Sequence, residues 1–172
     1  MSRELGAFLS GLPFFANVSS SLIKYVVEKG ALQRVPGNTT VLRQGESAPS
    51  MFIVLSGVLK LFRTLAQATS RRPLTLLVDE VSAGALVAAY ECLREWPMQY
   101  SVVSAIPCEL FAIDLALLQR LETIEQIRLS DRTEPLSTDD ELRTEYLHGR
   151  HWNSYRSKVV RLVVAERSIS RL

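Results

Sequence analysis

From Gly30 to about Ala112 the sequence is cut into short apolar runs, "ALQRV", "TTVLR", "MFIVLS", "VLKLFR", "PLTLLV", "QYSVVSA" and "ELFAID". Between them stand "PGN", "QGESAPS", "SG", "AQATSRR" and "IPC". This punctuation restricts the fold more than any other feature. Glycine reaches positive φ at no steric cost and proline fixes φ, so such breaks reverse the chain instead of extending a helix. Runs this short and this regularly spaced predict a compact antiparallel sandwich or roll.

The flanks follow a helical period. Leu5, Phe8, Leu9 and Leu12 form one apolar face, and a second helix starts after the cluster Ser19, Ser20, Ser21 with Leu22, Ile23, Val26 and Val27. The stretch "LPFFANVS" is the turn between them. Beyond the β runs, Asp114 is the expected N-cap of "DLALLQRLETIEQI". A polar link from Ser130 to Ser137 then leads to a longer final helix, where Thr138 and Glu141 fit a capping box. Three zones are expected: an N-terminal helical segment over 1–29, a β-roll over 30–113, and C-terminal helices over 114–172. A chain of 172 residues suits one domain with an appended helix.

Composition removes several function classes. With 47% apolar residues and a formal charge of +2, the chain is ordinary globular material with no global basic field for nucleic acid. No apolar stretch approaches the roughly 18 residues needed to cross a bilayer. Glu4, Ser10 and Pro13 interrupt the N-terminus, so a cytoplasmic protein with no signal peptide and no membrane span is expected. Cys92 and Cys108 have no CxxC pattern and no histidine cluster, which predicts two buried reduced thiols. His148 and His151 lie three apart without a third ligand, so no metal is expected. No Ser-His-Asp set, nucleophile elbow, P-loop or acidic dyad is visible, and the expectation is a non-enzyme without catalytic residues.

The order helix, helix, β runs, short helix, long helix, together with "VPGNTTVLRQGE" (Pro36, Gly37, Gly45, Glu46) and "MFIVLSGVLKLF" (Phe52, Ile53, Ser56, Gly57), resembles the cyclic nucleotide-binding domain family. "FLSGLPFFANVSSSLI" is similar to the family's N-terminal helical segment, and the likeness runs from about residue 8 to 122. It implies an α+β, mainly β fold: an antiparallel, jelly-roll-like roll of eight strands flanked by N-terminal and C-terminal helices.

In that family a short helix opens with Gly-Glu after the sixth strand, and an Arg some residues later meets the cyclic phosphate. The chemistry requires both, since a buried phosphodiester needs a guanidinium and free amides, and the Glu carboxylate accepts from the ribose hydroxyl. Here the cassette, 82–99 and its continuation, reads "SAGALVAAYECLREWPMQYSVVSA". Gly84 matches the family glycine, Ala85 stands at the Glu position, and Gln99 stands at the Arg position, counted back from "SVVSA". A charge-assisted hydrogen bond contributes about 1.5–3 kcal/mol, so losing both weakens cyclic nucleotide binding by several powers of ten. Any ligand of such a vestigial cassette would meet Gly84, Ala85, Leu86, Arg94, Gln99, Tyr100 and Ser101. Arg94 could replace the missing arginine if the inserted segment loops back. Tyr90 and Trp96 can pack into the roll where a purine would lie and are expected to be core or lid residues; an apolar ligand site or a protein-binding face is the alternative.

The last helix is apolar on one side and basic on the other, with Trp152, Tyr155, Arg156, Val159 and Arg161 as candidate partner-binding residues. Gly149 is expected to break or bend it. It can fold over the roll, dock a protein, or touch an acidic surface such as tubulin, RNA or lipid. No helix-turn-helix follows it, so DNA is not an expected partner. Two functions follow from the resemblance. The favoured one is a protein-interaction or structural module that has lost cyclic nucleotide binding and carries no cofactor. The resemblance extends to eukaryotic proteins with a "W..Y" helix after this fold, which implies a ciliary or cytoskeletal setting. The alternative is a regulatory module that binds cyclic AMP, cyclic GMP or another small ligand and moves its C-terminal helix.

Overall fold

The computed structural model describes residues 2–67 and 70–149. The chain divides into two units, one ending at Leu136 and one beginning at Ser137. In the first, helix α1 (Ser2–Ser10), a 3-10 turn (Pro13–Phe15) and helix α2 (Ser20–Lys29) precede the strands. Leu9, Ile23 and Val26 are buried, as the helical spacing predicts, while Phe8 remains partly exposed. Phe14 and Phe15 of the 3-10 turn are also buried and meet edge to face at 5.0 Å.

Eight strands follow: β1 (Ala31–Val35), β2 (Thr40–Leu42), β3 (Ser50–Ser56), β4 (Leu59–Leu65), β5 (Leu74–Val81), β6 (Leu86–Val87), β7 (Ser101–Ser104) and β8 (Cys108–Asp114). They form two antiparallel four-stranded sheets with the orders β1-β8-β3-β6 and β2-β7-β4-β5. The expected eight-strand roll is thus present, and seven of its strands coincide with the apolar runs. The eighth, β6, is two residues inside the cassette, pairing Phe52 with Val87 and Ile53 with Leu86.

Buried residues of both sheets, among them Met51, Ile53, Leu59, Leu61, Val102, Leu110 and Ile113, form one core. Burying a side chain of this kind contributes about 1.5–3 kcal/mol. Cys92 and Cys108 lie in that core as free thiols. Burial in the field of Asp114, Glu91 and Glu95 pushes the Cys92 thiol up to about 11, so it stays protonated.

Gly57 closes the β3–β4 hairpin at φ +92°. A Cβ there would lie 2.5 Å from Cys108 Sγ and 2.6 Å from the Pro107 carbonyl oxygen, so only glycine fits.

Helix α3 (Ala89–Arg94) lies within the cassette, and α4 (Leu115–Glu125) follows β8. Asp114 caps α4 as expected, its Oδ1 accepting from the Leu117 amide at 2.8 Å. The segment read as a polar link contains a second 3-10 turn, Leu129–Arg132. Leu129 is fully buried, and Arg132 Nη1 donates to the Phe14 and Ala16 carbonyls at 2.8 and 2.7 Å. Glu125 Oε1 accepts from the Ser19 amide at 2.7 Å. Segments from both ends of the unit are therefore fastened to each other.

In the second unit residues 139–149 are helical. Its capping box forms: the Thr138 amide donates to Glu141 Oε2 at 2.7 Å and the Glu141 amide to Thr138 Oγ1 at 3.3 Å. Gly149 is the last described residue, so the break or bend expected there lies outside the described residues. The candidate partner residues Trp152, Tyr155, Arg156, Val159 and Arg161, and His151, lie outside the described residues. No helix among the described residues is long and apolar enough to cross a membrane.

Candidate functional site

The cassette begins where Gly84, at φ +91°, turns the chain into β6. Its amide donates to the Val54 carbonyl at 2.8 Å, and the Val54 amide donates back to the Ala85 carbonyl at 3.0 Å. The Ala85 carbonyl is therefore committed to β3 and its amide to the Ser82 carbonyl at 3.0 Å, and its side chain offers only a methyl group. Ala88 then adopts a left-handed conformation at φ +61° and starts α3. Its buried amide donates to the Tyr100 hydroxyl at 3.1 Å. A phenol thus occupies the amide at the start of α3. Burial pushes the Tyr100 hydroxyl far above its ordinary value, so it stays neutral.

A cavity of about 430 Å³ opens beside this helix, against β4 and β5. Of the predicted site residues, Leu86 and Tyr100 line it. Gly84, Ala85, Arg94, Gln99 and Ser101 do not. Ser101 Oγ accepts from the Gln44 amide at 3.0 Å, which ties β7 to the loop after β2. Gln99 Nε2 donates to the Pro97 carbonyl at 2.9 Å, and its Oε1 lies 3.4 Å from Arg63 Nη2.

Arg94 does not loop back toward the cavity. Its Nη1 donates to the Tyr90 carbonyl and Thr133 Oγ1 at 3.2 and 3.0 Å, and its Nη2 to the Ser130 carbonyl at 3.1 Å. The guanidinium also sits 3.7 Å from the centre of the Tyr90 ring. It fastens α3 to the 3-10 turn at Leu129–Arg132. Trp96 likewise does not pack into the roll. Glu95 takes a left-handed C-cap conformation at φ +54°, and this turns Trp96 outward, where it is 51% exposed and meets Tyr90 edge to face.

The feature of the cavity that sequence reasoning missed is Glu91. It lines the cavity, is 2% exposed, and its Oε2 has no hydrogen-bond partner among the described residues. Desolvation raises its pKa, although backbone hydrogen bonds at Glu91 and Gln99 and the charges of Arg63 and Arg94 pull the other way. Asp79, Asp131 and Glu134 also line the cavity. The only signal was a single carboxylate in the apolar run "ALVAAYECL".

The family model for the cyclic nucleotide-binding domain matches residues 32–123, more than half of the chain. The regulatory domain of Toxoplasma gondii PKA, in a co-crystal structure with cAMP, superposes with a TM-score of 0.64 at 17% identity, over 76% of this chain and 49% of that one. This chain thus spans about half of the Toxoplasma protein. The sensor domain of the transcriptional regulator DNR from Pseudomonas aeruginosa gives 0.63 at 15% identity, over 92% and 93% of the two chains. A cyclic nucleotide-binding domain from Methylobacillus flagellatus gives 0.61 at 16%, over 91% and 81%. Among curated proteins no sequence matches this one. At these identities the superpositions establish the fold alone. With the eight-strand roll and the Gly84 turn falling in the segment that the family model matches, the chain belongs to the cyclic nucleotide-binding domain family.

Proposed function

We propose that this domain is a non-catalytic, cytoplasmic interaction module whose cassette no longer takes a cyclic nucleotide and which works by docking a protein partner. The carrying observation is the rewritten cassette. Ala85 and Gln99 stand where the family resemblance places a Glu and an Arg, and the Tyr100 hydroxyl holds the Ala88 amide. Among the described residues, four carboxylates line the cavity against one guanidinium, that of Arg132, whose Nη1 already donates to the Phe14 and Ala16 carbonyls. A phosphodiester entering the cavity would therefore meet an excess of negative charge. Arg94 would have to give up three hydrogen bonds and its place on Tyr90 to supply a second guanidinium. Half-exposed Trp96 is an anchor of the type that dominates protein interfaces. Trp152, Tyr155, Arg156, Val159 and Arg161 are a separate set of candidate partner-binding residues, taken from the sequence pattern alone. Nothing in the fold points to a ciliary or cytoskeletal setting.

Thermal unfolding with and without millimolar cyclic AMP and cyclic GMP tests this, on the natural chain and on Arg94→Ala. A ligand at about 100 times its dissociation constant would add roughly 2.7 kcal/mol, several degrees in Tm. No shift is expected. A shift in the natural chain that Arg94→Ala abolishes would make the domain a nucleotide sensor with a relocated arginine. The cavity favours a second reading, in which the domain responds to a small molecule of different chemistry.

A further inference from the structure

The geometry points to a binding site for a small organic polycation, an aliphatic amine with two or more charged nitrogens, in the cavity between α3, β4 and β5. This goes beyond the interaction reading and does not rest on it.

Four carboxylates line the cavity, and their burial sorts them. Glu91 is sealed from solvent at the inner end, and Asp79, Asp131 and Glu134 are exposed at the rim. An unpaired oxygen on a buried carboxylate is costly, and a partner bearing an N–H donor and positive charge removes that cost. Among the described residues one cation, Arg132, also lines the cavity, and it and the neighbouring arginines hold groups of the chain itself. Arg94 holds Tyr90, Ser130 and Thr133, and Arg132 reaches through Nη1 to the Phe14 and Ala16 carbonyls. Arg63 directs Nη2 toward Gln99. Glu91 lies in the field of Arg63 and Arg94, and desolvation still outweighs both.

The ligand's shape follows from the spacing of the acids and from the walls. No three acidic, histidine or cysteine groups among the described residues converge tightly enough to hold a metal ion, so the site suits charges spread along a chain more than one compact ion. Leu61 and Val81 supply apolar wall for methylenes, and the Tyr90 ring borders the same space. One nitrogen would meet Glu91 Oε2 and another the rim, where Asp79 Oδ1 already accepts from the Glu80 amide and leaves its second oxygen to a ligand.

The test is calorimetric titration and thermal unfolding of the full chain with spermidine and putrescine, against sodium and magnesium chloride at matched ionic strength. Saturable binding with a rise in Tm is expected for the amines and not for the salts. Glu91→Gln should weaken it at least tenfold, and the exposed-rim variant Glu134→Gln, which leaves the core untouched, should weaken it severalfold. No amine binding, binding unchanged in both variants, or an equal response to magnesium would each overturn the proposal. Should Glu91→Gln fail to fold, retention of full affinity by Glu134→Gln combined with Asp79→Asn overturns it. A cyclic AMP arm keeps the readings apart: binding there sinks the loss of nucleotide recognition, whereas silence toward both ligands sinks only the amine site.

Discussion

The β3–β4 hairpin and the cassette each turn on a glycine at positive φ, but their surroundings differ. At Gly57 an added Cβ would run into Cys108 Sγ and the Pro107 carbonyl, whereas at Gly84 it would meet only Leu12 Cδ2, at 3.7 Å. The first glycine is fixed by backbone conformation and by packing, the second by backbone conformation alone. Where the neighbours leave room, side chains can change their chemistry without disturbing the fold. On the reading proposed above, the cassette departs from its family's pattern in that way, presenting Ala85 and Gln99 on an intact turn.

Substituting both glycines breaks the comparison if it is wrong. Gly57→Ala should cost about 3 kcal/mol or more, because a strained φ and a backbone clash add. Chemical denaturation would read this as a large loss of midpoint at unchanged slope. Tyr100→Phe comes next: it leaves the buried Ala88 amide without its acceptor, a loss of roughly 1–3 kcal/mol by the same measurement. Gly84→Ala should cost roughly 1–2 kcal/mol, since only the left-handed strain remains. If Gly84→Ala proved as damaging as Gly57→Ala, the contrast between the two turns would fail.

The smallest effect is one of pH. Desolvation raises the Glu91 pKa above its ordinary 4.5, so the folded chain holds this proton over a range where the unfolded chain has released it. Its contribution is fully present below 4.5 and is lost as pH rises through the folded value. Glu91→Gln should remove that decline and leave the two proteins closest at the acidic end, as stability profiles through the weakly acidic range would show.

The contrast also explains what the sequence reveals. Seven strands were legible because alternation and turn residues act locally, and the Asp114 cap and the Thr138–Glu141 box were legible for the same reason. Strand β6 was not, because two residues in the apolar "GALVAAY" carry no period. The Leu129–Arg132 turn was read as a polar link because what holds it, Arg94 from the cassette and the carbonyls of Phe14 and Ala16, is distant in sequence. Glu91 was overlooked because its isolation is produced by β4, β5 and the cassette together. Trp96 looked like core because apolar character does not reveal direction, and the left-handed Glu95 decides it.

The clasp between Arg132 and the Phe14 carbonyl joins positions 118 residues apart. Closing a loop of that length is entropically slow to reward, so this contact belongs among the last formed as the chain folds. The segment 32–123 that defines the family contains neither end of it. A fragment trimmed to that segment would keep the strands and lose the fastening, and an expressible minimal piece has to reach from at least Phe14 to Arg132.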